Sequence, residues 1–202
     1  MSTVQRLLLA APTPDRVQTL HYLRTATPTP ELDALIDSVQ AELFPLLEYK
    51  VCHCRLPIKK EGQTLHIGIL RTDSAALAKA LAGCEEALIF AATVGLSPDR
   101  LLKKYAHRSP ARALCVQAVA TERIEALCDA FCRLQDDTLR EKGQMRGMRF
   151  SPGYGDLALS VQKEVFQMLD CPRQIGLSLN ESLLMSPTKS VTAIVGIRQI
   201  EA

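Results

Sequence analysis

No part of the 202-residue chain collects charge of one sign: 24 Lys and Arg alternate with 22 Asp and Glu, for a net charge of +2. A nucleic-acid footprint needs clustered cations, so a DNA- or RNA-binding role is not expected. No apolar run approaches the roughly 20 residues that cross a bilayer, and no membrane segment is expected. The run Leu7–Ala11 is too short for a secretory signal core and is followed by Pro12 and Asp15, so no leader is expected either. The seven cysteines are odd in number and irregularly spaced, which suits a reducing cytoplasm better than a disulfide framework. Nucleotide fingerprints are missing: there is no G-x-G-x-x-G between a strand and a helix and no G-x-x-x-x-G-K-[ST]. Neither G-x-S-x-G nor H-E-x-x-H occurs. A nucleoside cofactor would have to be held without Rossmann or P-loop machinery.

What is present is ordinary globular material, 47% hydrophobic and 23% charged, enough for one sizeable core. Residues 1–30 form a mixed lead-in, with a short helical turn over Val17–Leu23, and residues 31–202 are expected as a single domain. Thr29 with Pro30 opens a helix whose apolar residues recur at three- and four-residue spacing from Leu32 to about Leu47. Tyr49–Ile58 and Thr64–Leu70 read as strands joined by a turn over Lys59–Gly62. Ser74 caps a helix over Ala75–Leu81 that Gly83 closes. Glu86–Thr93 is short and almost wholly apolar, the pattern of a strand buried on both faces.

Ser97-Pro98 opens a helix to about His107, and Ser109-Pro110 starts the longest one, to about Leu139. Its apolar stripe is Leu114, Val116, Ala120, Ile124, Leu127, Phe131 and Leu134. Gly143–Gly147 breaks the pattern, Ser160–Leu169 is helical again, and Ile175–Leu184 and Val191–Ile200 read as strands. Without regular βαβ alternation, the expected fold class is α+β, a mixed and mostly antiparallel sheet with flanking helices.

Two cysteine motifs invite a metal. In a strand, His53 points away from Cys52 and Cys54, so Cys52-His53-Cys54 does not converge on one ion, and no second pair stands at zinc-finger spacing. Cys128 and Cys132 share a helix face, open to a soft metal but expected as core. No metal site is expected. The octapeptide Arg149–Asp156 (RFSPGYGD) is more informative. Pro152, Gly153 and Gly155 prevent a regular helix, while Arg149 offers a guanidinium fork, Tyr154 a ring face and Asp156 a carboxylate. Such a loop is either a structural turn with Arg149 paired to a carboxylate, or a site for a small zwitterion. Ser186–Ser190 is either a plain connection between strands or another wall of that site.

Arg149–Asp156, the following Leu157–Leu169 and the segment Leu179–Gly196 (LNESLLMSPTKSVTAIVG) resemble the activation domain of cobalamin-dependent methionine synthase. The resemblance is strongest to its free-standing form. Its specificity lies in the R-x-x-x-G-Y pattern of Arg149, Gly153 and Tyr154 combined with E-S-x-x-M-x-P at Glu181, Ser182, Met185 and Pro187. In the fused form, further proline and cysteine residues commonly follow the octapeptide, whereas Gly155-Asp156-Leu157 stands here.

The resemblance implies an α+β fold that binds S-adenosylmethionine and has no catalytic side chain of its own. It implies a cytoplasmic reactivation subunit working on a separate methionine synthase, which supplies the cobalamin. A flavodoxin-like or other donor would deliver an electron, and cob(II)alamin would be reductively methylated to methylcobalamin. By the same likeness Arg149 holds the ligand carboxylate and Tyr154 lies against the ligand or the corrin. Phe150, Ser151, Pro152 and Gly153 contribute backbone contacts, and Glu181 and Ser182 face the same cavity. One of Glu122, Glu125 and Asp129 receives the cationic groups. The alternative is a module that docks on or shields a corrinoid protein without using a methyl donor.

Overall fold

The computed structural model describes residues 3–200. The chain enters as strand β1 (Gln5–Leu8) and helix α1 (Arg16–Tyr22), then helix α2 (Pro30–Leu43) with a 3-10 turn at Phe44–Leu46. Strands β2 (Lys50–Glu61), β3 (Thr64–Ile67) and β4 (Leu70–Thr72) precede helix α3 (Ala75–Ala80) and strand β5 (Glu86–Thr93). Helices α4 (Ser97–Tyr105) and α5 (Pro110–Arg140) lead to strand β6 (Gln144–Phe150). Helices α6 (Gln162–Leu169) and α7 (Cys171–Ile175), the short strands β7 (Ser178–Leu179) and β8 (Met185–Ser186), and strand β9 (Ser190–Gln199) complete the chain.

The main sheet runs β4-β3-β2-β5-β9-β6, with β1 paired to the first half of β2. Every pairing is antiparallel. Strand β5 lies at its centre, paired along its length with β2 and β9, and its Ala87–Ala92 run is fully buried. The α+β class with an antiparallel sheet and flanking helices is therefore the observed one. Alternation along the strands sends two sets of side chains to opposite faces. Cys52, Cys54, Ile89, Ala91 and Ile194 pack under α3, α6 and α7. Val51, Leu88, Phe90 and Val195 pack under α5, against Leu127, Cys128 and Phe131. A third cluster joins the outer side of α5 to α2 and α4 through Ile36, Val39, Leu101, Val116 and Val119.

The helix caps are those the residues suggest. The Thr29 and Ser74 side chains accept from Leu32 N and Leu77 N. The cysteines of both motifs are buried in the core, and among the described residues no group of His, Cys, Asp or Glu could hold a metal ion.

Four expectations need correction. Strand β2 continues through Glu61, so only Gly62 and Gln63 turn, and Gly68 at φ +61 divides the second strand into β3 and β4. The helical pattern does end before Gly143 (φ +65), but the stretch after it is not irregular: Gln144–Phe150 is an edge strand bulged between Arg146 and Arg149. Residues 175–184 are not one strand, because α7 ends at Gly176 (φ +69) and only Ser178–Leu179 pair, with Met185–Ser186. Leu114 and Leu134 lie exposed, off the buried stripe of α5. No described helix is long and apolar enough to cross a membrane.

His53, expected to point away from its neighbouring thiols, does so. It lies 5.1 Å from the Phe131 ring between centroids and is 6% exposed, with both ring nitrogens lacking partners. Burial holds its imidazole below the usual pKa of 6.5. The unfolded chain therefore binds a proton that the folded protein refuses, and stability falls as pH drops below about 6.5. One such group contributes a slope of at most about 1.4 kcal/mol per pH unit. Thermal unfolding of His53→Phe between pH 7 and pH 5 should show a shallower loss than wild type; identical slopes would remove His53 from the acid response.

Candidate functional site

The last two residues of strand β6 are the first two of the octapeptide, and the sheet pleat decides what each of them meets. Arg149 opposes Val195 and Phe150 opposes Ile194, so Arg149 turns toward α5 and Phe150 toward α3 and α6. On the α5 side, Arg149 Nη2 lies 2.9 Å from Glu125 Oε2 and 3.2 Å from Asp129 Oδ1. The two carboxylates stand four residues apart on one helix, which is why they share a face.

The rest of the octapeptide is a tight loop. Tyr154 N donates to Ser151 O (3.1 Å), and Gly153 N donates to Leu157 O (2.9 Å). Gly155 adopts φ +57, and a Cβ there would come 2.9 Å from the Cβ of Ala76, so the loop crosses α3 at glycine distance. Asp156 fixes that crossing. Its carboxylate accepts from the Ser74 hydroxyl, from Ala75 N (2.8 Å) and from Ala76 N (3.2 Å). These donors, the Ser74 hydroxyl foremost, hold the carboxyl below its usual pKa. Asp156 is thus an anchor for the loop. Tyr154 is left 70% exposed at its tip.

The loop borders an open cleft of about 380 Å³, within the roughly 300–1,000 Å³ of small-molecule sites. Arg149, Phe150, Ser151, Pro152 and Tyr154 line it from one side, Glu125 from α5, and Gln162 from the start of α6. Met185 and Ser190, Val191 and Thr192 at the start of β9 close the remaining side. The Ser186–Ser190 connection meets the cleft through Ser190 alone. It is held in place by Lys189, whose buried Nζ donates to Thr121 Oγ1 on α5 (2.8 Å), and burial lowers the pKa of that amine.

Other residues singled out in the sequence lie elsewhere. Glu181 and Ser182 sit exposed on the turn between β7 and β8 and do not line the cleft. Gly153 supports the loop without being a wall. Of the three acids proposed on α5, Glu122 is committed to structure: its carboxylate pairs with the buried guanidinium of Arg123 and accepts from Asp15 N (3.1 Å). Glu125 and Asp129 both meet Arg149, and only Glu125 also lines the cleft. A second cavity, of about 660 Å³, lies on the far side of Glu125, between α5 and residues 10–22.

Besides Val191 and Thr192, pattern reading passed over Gln162 as a cleft residue. Its signal is a polar residue on the apolar stripe Gln162, Val165, Phe166, Leu169.

The antiparallel sheet, the long helix across it and the cleft at the β6–β9 edge define an α+β domain of a recognisable kind. Its fold is similar to the crystal structure of the MetH reactivation domain bound to AdoHcy, with a TM-score of 0.73 at 18% identity over 99% of this chain and 80% of that one. Residues 76–199 match the family model for the vitamin B12 dependent methionine synthase, activation domain, and the chain belongs to that family. A comparison with curated proteins finds no match.

Proposed function

We propose that the cleft holds S-adenosylmethionine and that the protein presents its methyl group to cobalamin carried by a separate methionine synthase. The observation behind this is the cleft's chemistry: a guanidinium, a carboxylate and a buried carboxamide around one cavity of small-molecule size. The ligand carries an α-carboxylate, an α-ammonium and a sulfonium. Arg149 suits the carboxylate, since its fork matches two oxygens, and Glu125 suits the cationic groups. Phe150, Ser151 and Pro152 border the same space, and the exposed Tyr154 ring is available to the ligand or to a docked partner. The fold likeness to a domain crystallised with AdoHcy and the family membership support the assignment.

Bound S-adenosylmethionine would supply an electrophilic methyl on sulfur to the partner's cobalt, reduced by an electron from a flavodoxin-like or other donor, and would leave as S-adenosylhomocysteine. The protein's own part is to bind and orient. No side chain of this chain is required to act as a base or nucleophile. Glu181 and Ser182 take no part in this arrangement.

One observation favours a second role, docking on a corrinoid protein without a methyl donor: Arg149 already has carboxylate partners in its own chain. The two are separated by incubating the chain with a cob(II)alamin-loaded synthase lacking its activation domain, a reductant and methyl-labelled S-adenosylmethionine. Label should appear in methylcobalamin only when the chain is present. Complex formation without label transfer would leave docking alone.

A further inference from the structure

Gln162 is 6% exposed, lines the cleft, and its side-chain oxygen Oε1 has no hydrogen-bond partner in the protein. Buried polar atoms are nearly always satisfied, so an amide left this way points to a partner from outside the chain. Its neighbours do not offer the same capacity. The Ser190 hydroxyl lies 2.8 Å from both Thr93 Oγ1 and Pro187 O, and Arg149 and Glu125 engage each other.

The position is also informative. Gln162 opens α6, whose Val165 and Phe166 belong to the core on one face of the sheet, whereas Arg149 and Glu125 meet on the α5 side. The cleft thus has charged groups toward one helical layer and a neutral carboxamide toward the other.

We propose that Gln162 is a specificity residue that reads the adenine edge of the ligand; this rests on the cleft holding S-adenosylmethionine. With the amino-acid end of the ligand at Arg149 and Glu125, its nucleoside end faces the α6 layer. A carboxamide offers a donor and an acceptor side by side, which matches the N6 amine and N7 of adenine. The oxygen accepts from the N6 amine and the nitrogen donates to N7. A half-turn about the terminal torsion exchanges the two amide atoms without breaking any bond to Oε1.

The test is titration calorimetry of the full chain with S-adenosylhomocysteine and with S-inosylhomocysteine, whose 6-oxo group replaces the amine. Wild type should prefer the adenine form by about 10- to 100-fold, the range for one lost hydrogen bond at a buried polar group. Gln162→Met, close in volume, should lower affinity for the adenine form and bring the ratio of the two ligands near one. Gln162→Leu, which also removes both amide contacts, should bring the ratio near one in the same way; it decides the matter if the methionine variant does not fold. A wild type that binds both ligands equally, or variants that keep the wild-type ratio, would overturn the role of Gln162 while leaving the site. Absence of binding to either ligand would overturn the S-adenosyl assignment and this proposal with it.

Discussion

Replacing Glu122 with alanine is expected to destabilise the protein by about 3–5 kcal/mol, the usual consequence of leaving a buried charge without its partner. Arg123 is 1% exposed and Glu122 2%. Besides Glu122, the guanidinium donates to Pro12 O (2.6 Å) and Thr13 O (3.0 Å) and lies 5.4 Å from the Phe44 ring centroid. Glu122 in turn accepts from Asp15 N (3.1 Å), just before α1. One ion pair therefore ties the segment between β1 and α1 to the middle of α5. Losing the carboxylate leaves the guanidinium with two carbonyls and no counter-charge. For a chain of this size the loss corresponds to a fall of roughly 6–20 °C in Tm, read by calorimetric unfolding. The double variant Glu122→Met with Arg123→Met should recover much of it, because removing both charges removes the penalty. A single variant as stable as wild type would show that Arg123 finds another counter-charge.

Arg149→Ala is expected to weaken S-adenosylmethionine binding by about 10- to 100-fold, the range for a lost hydrogen bond to a charged group. The loss should be confined to the carboxylate. Glu125 and Asp129 remain, now without their cation, and still attract the ligand's ammonium and sulfonium. Decarboxylated S-adenosylmethionine should consequently bind wild type and variant alike. Arg149→Lys keeps the charge but loses the fork and should fall between them. Equal losses for both ligands would mean that Arg149 acts by shaping the loop.

Much of the scaffold was legible because local signals agreed with the tertiary outcome. The apolar run Ala87–Ala92 lies at the sheet centre, and Thr29-Pro30 and Ser74 start the helices they suggest. Misreadings fell where burial and backbone pairing diverge. Ile175 and Leu177 are both buried, with Leu179 half-buried, an alternation that imitates a strand, but the backbone there leaves α7 through Gly176 and pairs for only two residues. Strand β6 was hidden for the opposite reason: QMRGMRF is an edge strand with no fully buried residue, and two glycines nearby look like a turn.

The site was legible in the same uneven way. The R-x-x-x-G-Y element gave the octapeptide, and five of its residues line the cleft. Which α5 acid meets Arg149 depended on the register between β6 and a helix about 20 residues upstream, which no local pattern fixes. Asp156 looked like a ligand group and proved to be the anchor on α3, because only the fold brings Ser74 to it.

The most direct measurement is titration calorimetry of the purified chain with S-adenosylhomocysteine, beside the same titration of Arg149→Ala. The account predicts saturable one-site binding to wild type and an affinity about 10- to 100-fold lower in the variant. A wild-type chain that takes up no ligand, alone or with a cobalamin-loaded synthase present, would contradict it.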